Sequence, residues 1–240
     1  MQRQWLEDCD KNHHQCRPDQ ENVNTWRPTR LIDVGSERNS ATVRLVDTAV
    51  EAFDQSEKLK YIALSHPWGD KKIHKHYCTT RNNLDRHRIQ IVVDDLPDTF
   101  KQAVRVTREL GVRYLWIDSL CIIQGENGDF ENEAERMETV FSTAYCVIAA
   151  SRATGTSDGF LLERPAREVV RFERDRGDPF YICEAIDDFQ HDVIEGELSK
   201  RGWVLQERAL ARRSIYFTTK QTYWECGDGI RCETLTKMNK

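Results

Sequence analysis

The sequence predicts an α/β fold with a mostly parallel, doubly wound central sheet flanked by helices and a β-hairpin region added toward the C-terminus. Three observations carry that expectation. Short, almost wholly apolar runs recur at 60–65, 113–123 and 145–150, as strands covered on both faces do. Segments with apolar residues at helical spacing separate them. Beyond Ser151 the chain becomes charged and turn-rich, which marks a peripheral part.

In chain order, the first thirty residues are a polar prefix carrying Trp5, Cys9, His13, His14, Cys16 and Trp26. Leu31–Val34 and Thr42–Val46, around the turn cluster Gly35–Ser40, predict a hairpin. The run KYIALS stops abruptly at His66-Pro67-Trp68-Gly69-Asp70, a buried strand followed by a loop of unusual side chains. A helix opens at Leu96-Pro97-Asp98-Thr99; Phe100, Ala103, Val104, Val106, Thr107 and Leu110 recur at helical spacing and Gly111 sits at its C-terminal cap. Arg113–Ile123 reads as the next strand. Asp129 is placed to cap a second helix whose Met137, Val140, Phe141 and Ala144 share a face, and Tyr145–Ala150 is a further strand. Glu168–Glu173 and Phe180–Ile186 suggest a charged hairpin turning at Arg-Gly-Asp-Pro. Arg201–Leu210 suggests a short helix, and Ser214–Thr218 and Gln221–Cys226 a closing pair of strands. The expected division is a prefix over 1–30 and a domain over 31–240, with an α/β core at about 58–152 and a β-rich part at about 165–235.

Composition narrows the function. At 240 residues and ~150 per domain, the chain holds one large domain or one with a small appendage. Thirty-five basic against forty acidic residues give a net charge of −5, which argues against a nucleic-acid partner. No apolar run approaches the ~18 residues of a membrane span, and the N-terminus has no signal-type stretch, so a cytoplasmic protein without membrane contact is expected. The eight cysteines are then thiols or metal ligands rather than disulfides.

Polar residues at strand exits carry the chemical information. In a parallel sheet, ligands bind beyond the carboxyl ends of the strands. Ser65, His66, Trp68 and Asp70 leave one strand; Asp118, Ser119 and Cys121 leave the next; Glu133 sits early in the following helix. Together they suit one cleft, although a loop-capping Asp118 and a Glu133 that supports its helix N-terminus fit the same positions. Arg201, Trp203, Gln206 and Glu207 form a second polar cluster, in which Arg201 suits either a structural ion pair or a phosphate or carboxylate ligand. Cys9-x3-His13-x2-Cys16 offers three soft ligands; a zinc site needs a fourth from His14, Cys226 or Cys232, and simple packing of the prefix is the competing reading. A Cys121–His66 nucleophile pair is disfavoured, because an apolar setting raises a thiol pKa. P-loop, GxGxxG and GxSxG signatures are absent.

Taken together, YIALSHPWGD, LPDTFKQAVRVTRELGVRYLWIDSLCIIQ, ENEAERMETVFSTAYCVIAAS and RGWVLQERALARRSIYFTTKQTYWEC resemble, in order and spacing, the heterokaryon incompatibility (HET) domain of filamentous fungi. The prefix WLEDCDKNHHQC is similar to the lead-in that precedes that domain. The resemblance places the family's Ser-x-x-Trp-Gly element on Ser65, Trp68 and Gly69, and its Trp-Ile-Asp-x-Leu-Cys-Ile element on Trp116–Ile122. Its helical Glu and Met fall on Glu133 and Met137, and its Arg-x-Trp-x-x-Gln-Glu element on Arg201, Trp203, Gln206 and Glu207. His66-Pro67, Ile123 and Phe130 depart from the family pattern.

The resemblance implies an effector of programmed cell death after non-self recognition, activated by a protein partner or by self-association. It also implies a remote likeness to TIR-type domains, some of which cleave NAD. On that reading Glu133 stabilises or attacks the ribosyl centre, and Asp118 and Arg201 orient ribose and phosphate. The alternative is a non-enzymatic signalling module whose polar residues are structural.

Overall fold

The computed structural model describes residues 1–16, 26–37, 39–51, 53, 59–74, 76–164, 166, 168–174, 177–234 and 236–238. The strands are β1 (Arg30–Asp33), β2 (Thr42–Asp47), β3 (Tyr61–Ser65), β4 (Ile91–Val92), β5 (Tyr114–Trp116), β6 (Cys146–Ala149), β7 (Val169–Phe172), β8 (Phe180–Cys183), β9 (Arg213–Phe217), β10 (Thr222–Cys226), β11 (Gly229–Cys232) and β12 (Lys237–Met238). The helices are α1 (Gln2–Asn12), α2 (Leu84–Ile89), α3 (Asp98–Glu109), α4 (Asp118–Cys121), α5 (Phe130–Ala134), α6 (Met137–Thr143) and α7 (Gly202–Leu210).

All strands but β7 and β8 form one sheet, in the order β12-β11-β10-β9-β6-β3-β5-β1-β2-β4. Only β5, β3, β6 and β9 run parallel to one another. Antiparallel strands extend this centre on both sides: β1, β2 and β4 beyond β5, and β10, β11 and β12 beyond β9. The expected mostly parallel sheet is therefore corrected to a mixed one with a parallel centre. Short turns join β1 to β2, β9 to β10 and β10 to β11 as hairpins, whereas β4 reaches β2 by a long connection through β3 and α2, and the parallel central strands are joined by the long crossovers that parallel pairing requires.

The central strands are apolar because both of their faces are covered. Every residue of β3, β6, β9 and β10 is buried. At the β9–β10 wing the alternation of side chains serves two apolar clusters. Ile215, Phe217, Trp224 and Cys226 join the main core, whereas Tyr216 and Tyr223 join a second one with Val204 of α7, Phe189 and Leu198. Helix α1 packs Trp5, Leu6 and Cys9 into the main core, with Trp5 6.4 Å from Trp224, so the polar prefix contributes an apolar stripe.

Two sequence expectations change in detail. The strand after α3 stops at Trp116, because Ile117 O accepts both the Leu120 and Cys121 N–H groups and Asp118 Oδ1 accepts the Ser119 N–H at 2.6 Å, which winds the chain into α4. Asp129 precedes α5 but does not cap it with its side chain. Its carboxylate accepts the Ile123 N–H at 2.8 Å and pairs with the buried Arg30, and a turn at 135–136 divides the expected single helix into α5 and α6.

The chain path creates the site. From β3 it crosses to β5 on one side, then returns over to β6 on the other, so the strand order reverses at β3. A crevice opens beyond the carboxyl end of a strand at such a reversal.

Candidate functional site

β3 ends at the buried Ser65, and the following loop turns sharply at Gly69, whose φ is +78°. A Cβ there would stand 2.3 Å from His74 Cδ2 and 2.9 Å from Gly155 Cα, so glycine alone fits this close approach. The turn sets Trp68 edge-on to His76, with ring centroids 5.3 Å apart, and His76 Nε2 lies 3.1 Å from Gly69 O. Trp68 Nε1–H donates to Asp118 Oδ2 at 2.7 Å, which ties the exit of β3 to the exit of β5.

Helix α7 closes the arrangement from the other side. Arg201, at its N-terminal boundary, donates from Nη1 to the His66 carbonyl, and Ser65 Oγ donates to Glu207 Oε2 at 2.5 Å. Part of Glu207 faces solvent, but its carboxyl group turns inward onto Ser65. Burial, reinforced by the negative charge of Asp118, pushes its pKa up to about 7, against the opposing pull of the Ser65 hydrogen bond and Arg201. His66 is buried edge-on to Phe100 at 5.1 Å. Its Nε2 lies 3.9 Å from Asp118 Oδ1, beyond hydrogen-bond reach, and has no hydrogen-bond partner among the described residues. Burial drives the His66 pKa below the ordinary imidazole value despite Asp118.

Above these groups lies an open cleft of about 510 Å³, lined by Pro67, Trp68, Gly69, Ala153, Thr154, Glu197, Leu198 and Arg201. Beneath α7, Ser65 and Glu207 border only a narrow gap of about 10 Å³, which shares Leu198 with the cleft. A carboxyl group that is close to half-protonated at neutral pH, a second carboxylate, an indole and a guanidinium thus converge at the strand reversal. That combination suits proton transfer beside a polar or anionic ligand of nucleotide size.

Of the residues expected in the site, the structure brings Ser65, Trp68, Asp118, Arg201 and Glu207 together. Glu133 is buried in an adjoining cluster, where its Oε1 accepts the Thr29 hydroxyl at 2.7 Å and stands 3.6 Å from Arg136. Asp70 is exposed and accepts the Lys72 N–H at 2.8 Å. Trp203 is 58% exposed, and Gln206, also exposed, borders a small gap with Met137, Phe141 and Leu210. Cys121 is buried and its thiol is pushed up to about 12, mainly by burial, so it is no nucleophile. Ala153 and Thr154 were not anticipated as lining residues, although they follow the exit of β6 and the strand-end rule covers them. Glu197 and Leu198 carry no comparable signal. Cys9, His13 and Cys16 lie with Cys226 at the other end of the sheet.

These features define an α/β domain with a polar cleft at a strand-order reversal. The family model described as "Heterokaryon incompatibility protein (HET)" matches residues 61–207, from the first residue of β3 to Glu207, and the chain belongs to that family. It is also similar to Heterokaryon incompatibility protein 6, OR allele, of Neurospora crassa, with 32% identity over 94 residues. The match spans 37% of this chain and 14% of that protein's length. No solved structure matches the chain. No helix among the described residues is long and apolar enough to cross a membrane.

Proposed function

We propose that this chain is a cytoplasmic effector module of heterokaryon incompatibility, which triggers cell death by cleaving the N-glycosidic bond of NAD or a related nucleotide. The observation that carries the reading is the strand reversal, where Trp68 and Arg201 line the cleft, Asp118 is bonded to Trp68, and Glu207 is held on Ser65 beside it. HET-family membership and the name of the Neurospora relative support the biological role. The reaction class rests on the remote likeness to TIR-type domains that the resemblance implies.

In the proposed reaction the bond between ribose C1′ and the nicotinamide nitrogen breaks, and nicotinamide leaves with the electron pair. Water adds its oxygen to C1′ and releases a proton. The intervening ribosyl cation needs a negative charge beside it, which Asp118 supplies. Glu207, with its pKa near neutrality, accepts the proton from water, Arg201 holds phosphate, and Trp68 offers a face for stacking. Glu133 acts in this scheme through the packing of the adjoining helix.

The test is NAD loss and nicotinamide release by the purified chain, concentrated or artificially oligomerised, beside Glu207→Gln, Asp118→Asn and Glu133→Ala variants. Loss of turnover in the first two supports the scheme. Loss in Glu133→Ala alone moves the catalytic role to Glu133.

A second reading, self-association without chemistry, rests on the β7–β8 hairpin. It forms a sheet of its own, and Val169, Val170, Phe172, Phe180, Tyr181 and Ile182 are all exposed. Exposed apolar strands of this kind are suited to pairing with another copy. Sedimentation of the chain beside a Val170→Lys/Ile182→Lys variant tests it; a parent chain that stays monomeric at high concentration rules it out.

A further inference from the structure

We propose that Cys9, His13, Cys16 and Cys226 form a closed zinc site that clamps the N-terminal segment to the sheet. One ligand atom from each lies within 4.8 Å of the others, and all but His13 are buried. Zinc bonds of ~2.3 Å to sulfur and ~2.0 Å to nitrogen at tetrahedral angles place ligand atoms about 3.5–3.8 Å apart. Cys226 Sγ and His13 Nδ1 are 3.4 Å apart.

The chain builds this set from two distant places. Helix α1 carries Cys9 on its buried stripe and ends at Asn12; His13 leaves the helix, and the single turn His14–Cys16 returns Cys16 toward the same point. The fourth group comes from the last residue of β10, at the turn into β11. Of the three residues able to complete the set, Cys226 is the one that does so. Cys232 instead contacts Thr234 at 2.9 Å and Asp187 at 3.5 Å.

Further contacts distinguish a ligand set from packed thiols. Gly227 N–H points at Cys16 Sγ at 3.2 Å and Asp228 N–H at Cys226 Sγ at 3.4 Å, as backbone donors do toward metal-bound sulfur. His13 directs Nδ1 inward, and its Nε2 is 3.4 Å from Arg231 Nη2 and faces the carboxylates of Asp228 at 3.5 Å and Asp8 at 3.9 Å. Arg231 holds both of them, at 2.8 and 3.1 Å.

Three thiolates and an imidazole, with no position left for water, select zinc in a structural role. The location agrees. Cys226 pairs with Arg213 at the amino end of β9, whereas the cleft lies at the carboxyl ends of β3 and β6. The site therefore joins α1 to the β10–β11 turn across more than 200 residues of sequence, without touching the cleft.

The experiment measures metal in the 240-residue chain purified without a chelator or a metal-binding tag, then replaces the metal with Co(II) under reducing conditions. About one zinc ion per chain is expected. The Co(II) form should show strong thiolate-to-metal charge transfer with the band intensities of a tetrahedral site. Cys16→Ser and Cys226→Ser should lose the metal, whereas Cys183→Ser, at an exposed position, should keep it. A chain that is purified metal-free and shows no charge-transfer band on Co(II) titration overturns the proposal, whatever the variants do. Zinc retained by a folded Cys16→Ser/Cys226→Ser variant overturns it as well.

Discussion

The Ser65 hydroxyl donates to the Glu207 carboxylate at 2.5 Å, joining the end of the central strand β3 to helix α7 across 142 residues of sequence. This bond holds α7 over the strand reversal and keeps an acidic group buried beside Asp118. Several measurable properties of the domain depend on it.

Glu207 makes stability fall as pH rises. Its folded-state pKa, about 7, lies above the 4.5 of the unfolded chain, so the folded state binds more protons between these values. Stability from this group is full below about pH 4.5 and is lost as pH rises through about 7, by on the order of 3 kcal/mol at most. Glu207→Gln keeps an acceptor for Ser65 but has no proton to lose. It should melt at a higher temperature than the parent at about pH 8, and the two should coincide near pH 4.5; thermal melts across that range check this.

Removing the Ser65 hydroxyl raises the Glu207 pKa further, because that hydrogen bond favours the charged form. Ser65→Ala should therefore move the Glu207 titration to higher pH, read by NMR of a side-chain-labelled chain. An unchanged midpoint would mean that the bond does not persist in solution.

His66 has the opposite sign. Burial lowers its folded-state pKa below the unfolded value of 6.5, so its contribution is full above about pH 6.5 and is lost as pH falls through the folded-state value. His66→Gln should soften the loss of stability on acidification, seen as a smaller fall in melting temperature between about pH 7 and 5.

Gly69→Ala should destabilise the domain by about 2–4 kcal/mol, the sum of a left-handed backbone and a forced clash. The new Cβ meets the buried His74 ring and the Gly155 backbone. Urea denaturation measures the loss, which should exceed that of Gly35→Ala, where a Cβ meets nothing within 4 Å.

Arg30→Ala should cost about 3–5 kcal/mol, because Asp129 would lose its cation and the Cys121 carbonyl a 2.7 Å donor in a buried setting. Arg3→Ala breaks a pair whose side chains are both more than half exposed, and should leave urea denaturation almost unchanged.

Much of this architecture was legible in the sequence, for identifiable reasons. β3 and β6 read as apolar runs because every one of their residues is buried, and α3 shows its stripe because its other positions are more exposed. The β1–β2 hairpin and the closing β9–β10 pair were legible from their turns, whereas the antiparallel joining of β1 to β5 and of β4 to β2 was not, since a buried strand reads the same in either direction. Nor was the turn at Asp118, whose carboxylate competes for backbone N–H groups inside an apolar run. At the site, strand-exit logic found Ser65, Trp68 and Asp118, and the polar cluster on the short helix pointed to Arg201 and Glu207. Helical periodicity grouped Glu133 with Met137, but the turn at 135–136 separates α5 from α6 and leaves Glu133 against Thr29. The fourth ligand, Cys226, lay outside any local spacing because only the packing of α1 against β10 brings it to the prefix.

The most direct test of the account is NAD turnover by the purified chain, concentrated or artificially oligomerised, beside Glu207→Gln. The account predicts nicotinamide release by the parent chain and a fall of about 10²–10⁴-fold in the variant, the range for removal of a general acid or base. Equal turnover by the two proteins, or no NAD consumption by the oligomerised parent, would contradict it.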